Sequence, residues 1–151
     1  MNQTRRDALK TTGAFATLVS LGIVTQSQAQ AALERASFEG KTLADALKAV
    51  GGTPANSDQV SVVAPDIAEN GAVVPIGAAS KLPNTTEIFL IVEKNPMPLA
   101  AAFTIPAGTL PEISTRLKMG QSSNVIAVVK ADGKLYSATK ETKVTLGGCG
   151  G

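Results

Sequence analysis

The chain has 151 residues, with 14 Lys and Arg against 12 Asp and Glu, one cysteine and no histidine. The absence of histidine excludes a Ser-His-Asp triad and a Cys-His dyad, and it removes the commonest metal ligand. A single cysteine excludes a CxxC redox pair and a thiolate zinc site. We therefore expect a protein that is not an enzyme by itself and that binds no cofactor.

Residues 1–31 have the pattern of an export signal. A short basic segment precedes an apolar stretch, Thr11–Val24, and Ala29-Gln30-Ala31 is a small-x-small cleavage site. Arg5-Arg6 matches a twin-arginine signal, although an ordinary secretory signal can contain such a pair by chance. Both routes lead out of a bacterial cytoplasm. The sequence therefore predicts a periplasmic protein that begins near Ala32.

The remainder, residues 32–151, has no net formal charge, because the export signal contains the surplus of basic residues. It lacks the Lys and Arg runs that bind nucleic acid or anionic lipid. The apolar stretch of the signal is too short to span a bilayer. We expect one domain over residues 32–146, with neither nucleic acid nor a membrane as a partner.

One helix is predicted first: Thr42 can cap it and Gly51-Gly52 can end it. The pattern that follows is almost entirely of the β type. The predicted strands are Gln59–Val63, Ala72–Ala78, Glu87–Glu93, Ala101–Ile105, Thr115–Met119, Asn124–Val129 and Lys134–Val144. Asp132-Gly133 is the clearest hairpin turn. This spacing predicts a mainly β fold, an antiparallel β-sandwich with one short N-terminal helix.

One predicted strand is apolar throughout, as a strand covered on both faces would be. If one face fills the core of the sandwich, the other face is free to meet a partner subunit. We assign Ile88, Leu90 and Val92 to this possible partner interface.

The only cysteine lies in Gly147-Gly148-Cys149-Gly150-Gly151, a segment that we expect to be a flexible arm because glycine restricts the backbone least. An extended chain from Leu146 to Cys149 reaches roughly 10 Å. Only Lys143 is a nearby residue that could lower the pKa of the thiol, and it lies too far along the strand, so a partner has to activate the thiol. An odd cysteine in an exported protein indicates either a free reactive thiol or an intermolecular disulfide.

Four segments resemble the SoxY family, the sulfur carriers of the periplasmic Sox thiosulfate-oxidising system. The resemblance covers nearly all of the chain after the export signal, and the cysteine-containing pentapeptide is its most specific part. The segments are Pro65–Pro75, Val92–Leu99, Thr115–Met119 and Lys143–Gly151.

The resemblance implies an immunoglobulin-like sandwich that forms a heterodimer with a SoxZ-type subunit. It also implies that Cys149 is the site of covalent sulfur attachment. A haem enzyme of the SoxAX type would load thiosulfate onto this cysteine as an S-thiosulfonate, and a SoxB-type hydrolase would release sulfate and leave a persulfide. A sulfane dehydrogenase could then oxidise the persulfide further.

Two functions stay open at this point. The first is a covalent sulfur carrier, in which Gly147, Gly148, Gly150 and Gly151 form the arm around Cys149. The second is an exported structural β-sandwich that forms a homodimer through a disulfide between two copies of Cys149.

Overall fold

The computed structural model describes residues 37–145. Three predictions lie outside these residues: the export signal 1–31, the arm 147–151 and Cys149. The described part has one helix and nine strands, of which three have four residues or fewer. They are α1 (Leu43–Val50), β1 (Ala55–Asn56), β2 (Val60–Val63), β3 (Ile67–Ala68), β4 (Val74–Ser80), β5 (Thr85–Val92), β6 (Leu99–Thr104), β7 (Glu112–Leu117), β8 (Ser123–Ala131) and β9 (Lys134–Val144).

The strands form two sheets. The larger sheet has the order β1-β9-β8-β5-β6, and β3 also pairs with β9. The smaller sheet has the order β2-β4-β7. All of the longer pairings are antiparallel, whereas β1 and β3 each run parallel to a different part of β9. The fold is therefore mainly β and is a two-sheet sandwich, as the sequence predicts.

Each of the seven predicted strands is present, with ends that differ by a few residues. The turn between β8 and β9 is the predicted one: Ala131 is paired with Lys134, and the two residues between them have positive φ. Asp132 has φ 49° and Gly133 has φ 71°, the conformation that Asp-Gly tolerates in a two-residue hairpin. The two short parallel strands, β1 and β3, are additions that the sequence pattern does not predict.

The main core lies between the two sheets. Side chains from β4 and β5, among them Ile76 and Ile88, meet there with side chains from β8 such as Val125 and Val129. Strong alternation along β4 explains this arrangement, because every second residue from Val74 to Ser80 is buried.

Ile88, Leu90 and Val92 belong to this core, and each is 0% exposed. The prediction that they form a partner interface is wrong for this structure, because their side chains lie inside the domain. The pattern of β5 indicates correctly that both faces are covered. The opposite face, which includes Ile91, packs against Ala46 and Val50 of α1.

The helix that covers this face has both of its ends specified by local residues. The Thr42 hydroxyl accepts a hydrogen bond from the Asp45 N–H at 3.1 Å, and the Asp45 carboxylate accepts one from the Thr42 N–H at 3.2 Å. Gly51 ends the helix with φ 116°, in the left-handed region. The predicted helix is therefore confirmed together with its caps.

The capping box makes the stability of α1 sensitive to acid. The Thr42 hydroxyl donates a hydrogen bond to the Asp45 carboxylate over 2.7 Å. This bond is the main reason why the pKa of Asp45 is below its usual value of 3.8. A depressed pKa means that the folded protein binds this proton less readily than the unfolded chain does. The stability that the Asp45 carboxylate contributes is thus fully present above pH 3.8, and it is lost as the pH falls through the lower pKa of Asp45 in the folded state.

We expect Thr42→Ala to lower the free energy of unfolding by about 1 kcal/mol at neutral pH, because it removes the cap.

Thermal melts of the wild type and of Asp45→Asn should differ at pH 6 and should converge as the pH is lowered below 3.8. A difference in melting temperature that persists or grows in acid would contradict the assigned role of the Asp45 carboxylate.

Candidate functional site

Cys149 and its flanking glycines lie outside the described residues, so the site is built from the point at which the chain approaches them. That point is the end of β9, where Val144 and Thr145 are the last described residues. We call this end of the sandwich the arm end. The position of Cys149 in the sequence limits its distance from Thr145 to about 13–14 Å along an extended chain.

On one edge, the end of β9 is held by β3. Lys143 donates its N–H to the carbonyl of Asp66 at 2.9 Å, and Thr145 donates its N–H to the carbonyl of Ala68 at 3.0 Å. A two-residue strand is too short to be stable alone, so its pairing with β9 is what fixes it. The pairing therefore extends to the last residue that the structure describes.

On the other edge of β9, the Ser122 side chain bonds the strand beyond its last residue paired with β8. The Ser122 hydroxyl accepts the N–H of Val144 at 2.9 Å and lies 3.4 Å from the Val144 carbonyl, to which it can donate. The sequence predicts only a polar turn at Ser122-Ser123. The structure adds a role for Ser122, which satisfies a strand end that no backbone group reaches.

Gly71, which precedes β4 of the smaller sheet, packs closely against the end of β9. The Gly71 carbonyl accepts the N–H of Met119 at 2.7 Å. A Cβ atom added to Gly71 would lie 2.5 Å from the Met119 carbonyl oxygen and 2.8 Å from Val144 Cγ1. The glycine of the Asn70-Gly71 turn is thus required by close packing, and not by an unusual φ.

Two further loops are tied to the same end. Asn95 donates its side-chain amide to the Lys118 carbonyl at 2.7 Å, and its amide oxygen accepts the N–H of Gly120 at 3.1 Å. Ser123 Oγ accepts the N–H of Lys94 at 3.0 Å. These bonds connect the β5–β6 loop to the β7–β8 loop, next to the start of β8.

The segments that carry the family resemblance therefore meet at one end of the domain. Residues 66–73 include β3 and Gly71, residues 92–98 include Asn95, and Met119 follows β7. The sequence predicts turns or subunit contacts at residues 66–71 and 95–98, and both segments lie between longer strands, with the two residues of β3 as the exception. Thr115–Met119 is a predicted strand, and its first three residues belong to β7. Their convergence around the base of β9 cannot be predicted without the strand order.

The charges around this base are mixed and exposed. Lys140 lies 3.1 Å from the Asp66 carboxylate, whose side chain is 88% exposed, so the ion pair contributes little to stability. Within residues 37–145, no group of His, Cys, Asp or Glu side chains could hold a metal ion. The same residues include no helix that is long and apolar enough to cross a membrane.

The described part of the chain is a two-sheet sandwich whose last strand is held on both edges up to Thr145, four residues before the cysteine in the sequence. The family model of the sulfur oxidation protein SoxY matches residues 46–149, a range that ends at Cys149. The chain belongs to the SoxY family.

Solved structures agree with this assignment. The sulfur carrier protein SoxY from Chlorobium limicola f thiosulfatophilum is 39% identical, with a TM-score of 0.62, over 70% of this chain and 97% of that chain. A superoxide reductase (neelaredoxin) from Ignicoccus hospitalis, at 20% identity and a TM-score of 0.51, covers 58% of this chain and 80% of that chain, and it shares the fold alone. No curated protein matches the chain.

Gly71 provides a test of the close packing at the arm end. We expect Gly71→Ala to reduce the free energy of unfolding by about 1–3 kcal/mol, because the added methyl group overlaps the Met119 carbonyl. Gly120→Ala is the matched control, since its nearest neighbour is 4.0 Å from the added Cβ. Urea unfolding of both variants measures the difference. Equal stability of the two variants would show that the Gly71 contact does not constrain this end.

Proposed function

We propose that the protein is a sulfur carrier in thiosulfate oxidation that holds its cargo covalently on Cys149. The observation that carries this proposal is the SoxY match, which extends through the only cysteine of the chain. The relative from Chlorobium limicola f thiosulfatophilum is itself described as a sulfur carrier protein. The sandwich supplies a fixed base for the segment that contains this cysteine.

Loading is an oxidation. The Cys149 thiol and thiosulfate form a sulfur–sulfur bond between the cysteine sulfur and the sulfane sulfur, and the thiol loses one proton. Two electrons leave and are accepted by a haem enzyme of the SoxAX type. The product is a cysteine S-thiosulfonate. Because a thiolate is the nucleophile and Cys149 has only glycines on either side in the sequence, the enzyme has to supply the activation.

Unloading is a hydrolysis. Water attacks the terminal sulfonate sulfur, and the bond between this sulfur and the sulfane sulfur breaks. Sulfate and one proton are released, and the sulfane sulfur takes the other proton of the water, which leaves Cys149 as a persulfide. A metal-dependent hydrolase of the SoxB type performs this step. The persulfide is then oxidised by a sulfane dehydrogenase or passed to another acceptor. In each step the carrier is a covalently bound substrate and the partner is the catalyst.

The short segment between Thr145 and Cys149 suits the transfer of the cysteine between enzymes. Four residues after Thr145 allow the thiol to extend about 13–14 Å, which is enough to enter a narrow active site. Glycine neighbours add no side chain that would have to enter with it. A fixed base keeps the thiol close to any enzyme that binds the sandwich, so the transfer proceeds as an intramolecular step.

The proposal includes a heterodimer with a SoxZ-type subunit and a periplasmic location. Residues 1–31 support export through the twin-arginine route. A partner that lacks a signal of its own could be exported with this chain, because that route transports folded proteins.

Cys149→Ser tests the function directly, since it exchanges one sulfur atom for oxygen. We expect this variant to lose thiosulfate-dependent electron transfer in a system reconstituted with the haem enzyme, the hydrolase and the partner subunit. Lys143→Gln is the matched control: it changes an exposed residue on the preceding strand and should keep full activity.

Both variants should melt like the wild type and should bind the partner subunit equally well. If Cys149→Ser kept its activity and lost only a covalent dimer on a non-reducing gel, the protein would be a disulfide-linked structural dimer and not a carrier.

A further inference from the structure

The turn that precedes β4 contains the pair Asn70-Gly71, which occurs once in the chain. The backbone nitrogen that follows an asparagine can attack the side-chain amide carbon, because the product is a five-membered ring. Glycine adds no Cβ atom to obstruct this attack. Asn70 is exposed, so water reaches the side chain and ammonia can leave. The pair therefore has the components of an intramolecular reaction.

The nucleophile of this pair is free. The Gly71 N–H donates no hydrogen bond within residues 37–145, whereas the Gly71 carbonyl accepts the Met119 N–H at 2.7 Å. An amide whose N–H is bonded to a carbonyl has to give up that bond before its nitrogen can attack. Gly71 can therefore react without the loss of a hydrogen bond from its N–H.

The electrophile of the pair is already polarised. The Ala72 N–H donates to the side-chain oxygen of Asn70, Oδ1, at 2.9 Å. Negative charge develops on this oxygen when the Gly71 nitrogen attacks, and a donor already at that distance stabilises the charge. The Val73 N–H, which donates to the Asn70 carbonyl at 3.3 Å, closes the turn. The turn thus holds an activated amide beside the nitrogen that attacks it.

Two other asparagines are followed by nitrogens that are blocked. Asn56 precedes Ser57, whose N–H donates to the Ser137 carbonyl at 2.9 Å. Asn95 precedes Pro96, whose nitrogen carries no proton to lose. Neither asparagine can close the ring as readily as Asn70.

The remaining two asparagines of residues 37–145 are held in other ways. Asn84 donates its side-chain amide to the Asp132 carboxylate at 2.8 Å, and the β-branched Thr85 that follows crowds the attacking nitrogen. Asn124 lies within β8, which is paired with a strand on each side. Among the described residues, Asn70 is therefore the asparagine whose surroundings favour ring closure.

We propose that Asn70 is a site of spontaneous deamidation through a succinimide formed with Gly71. The Gly71 nitrogen bonds to Cγ of Asn70, the Cγ–Nδ2 bond breaks, and the proton of the Gly71 N–H leaves with the amide group as ammonia. Water then opens the ring at either of its carbonyls, which gives aspartate or isoaspartate. The reaction requires neither Cys149 nor a partner subunit, and its only co-reactant is water.

Isoaspartate changes the backbone at a point that has no spare room. The main chain then passes through Cβ, so one carbon is inserted immediately before Gly71. A Cβ atom on Gly71 would already lie 2.5 Å from the Met119 carbonyl oxygen and 2.8 Å from Val144 Cγ1. The carbonyl that accepts the Val73 N–H also becomes a free carboxylate. Isoaspartate should thus break the contact between this turn and the end of β9, whereas aspartate keeps the backbone.

The experiment follows the folded protein at mildly alkaline pH. Samples taken at intervals are digested, and mass spectrometry detects the exchange of NH for oxygen in each peptide, while an isoaspartyl methyltransferase labels isoaspartate. We expect the peptide with Asn70 to react at least about tenfold faster than the peptide with Asn56. The rate should rise with pH, because the deprotonated Gly71 nitrogen is the nucleophile.

Asn70→Ser is the matched control. Its hydroxyl can accept the Ala72 N–H as the asparagine does, but it cannot form a succinimide. We expect the isoaspartate fraction of the aged wild type to unfold at a lower urea concentration than fresh protein. Aged Asn70→Ser should unfold like its own fresh sample, and Asn70→Asp should unfold like the fresh wild type.

Equal rates at Asn70 and Asn56 would overturn the proposal. It would also be overturned if Asn70 reacted in the urea-unfolded chain and stayed intact in the folded protein, because the turn would then protect the amide. An isoaspartate fraction that unfolds like fresh protein would overturn the predicted loss of the Gly71 contact.

Discussion

The arrangement at the arm end depends on how the last residues of β9 are held. Three successive backbone N–H groups are satisfied there: Lys143 donates to the Asp66 carbonyl, Thr145 donates to the Ala68 carbonyl, and Val144 donates to the Ser122 hydroxyl. A strand end without such partners would fray, and the point from which the thiol is presented would shift. Because both edges are fastened, the chain has a defined position up to Thr145, two residues before the first of the glycines in the sequence.

The remaining architecture supports this position. The helix covers the outer face of the larger sheet, and the core between the sheets fixes β4 and β7 against β5, β8 and β9. Loops from both sheets are thereby brought together at the arm end, where the Gly71 contact and the Asn95 bridges join them. The chain belongs to a family of sulfur carriers, and the bonds described at the arm end hold the strand that precedes the proposed carrier cysteine.

Local signals explain what could be predicted from the sequence. Thr42 and Gly51-Gly52 set the ends of the helix, and Asp132-Gly133 sets a hairpin, because each acts through its immediate neighbours. β3 could not be predicted, since two residues carry no alternation and their pairing exists only because β9 runs alongside. The face of Ile88 was assigned wrongly because an apolar pattern on both faces of a strand does not show which face meets the other sheet.

In the candidate site too, some residues are predictable from their sequence neighbours and others only from the fold. Cys149 is a prediction from its glycine neighbours, whereas Ser122, Gly71 and Asn95 gain their roles only when the strand order brings them together. The most direct test of the account is the intact mass of the exported protein from thiosulfate-grown cells, measured before and after a reductant, with peptide mapping. The account predicts reductant-sensitive sulfur and thiosulfonate additions on Cys149. Finding only the free thiol and a symmetric disulfide at that residue would contradict it.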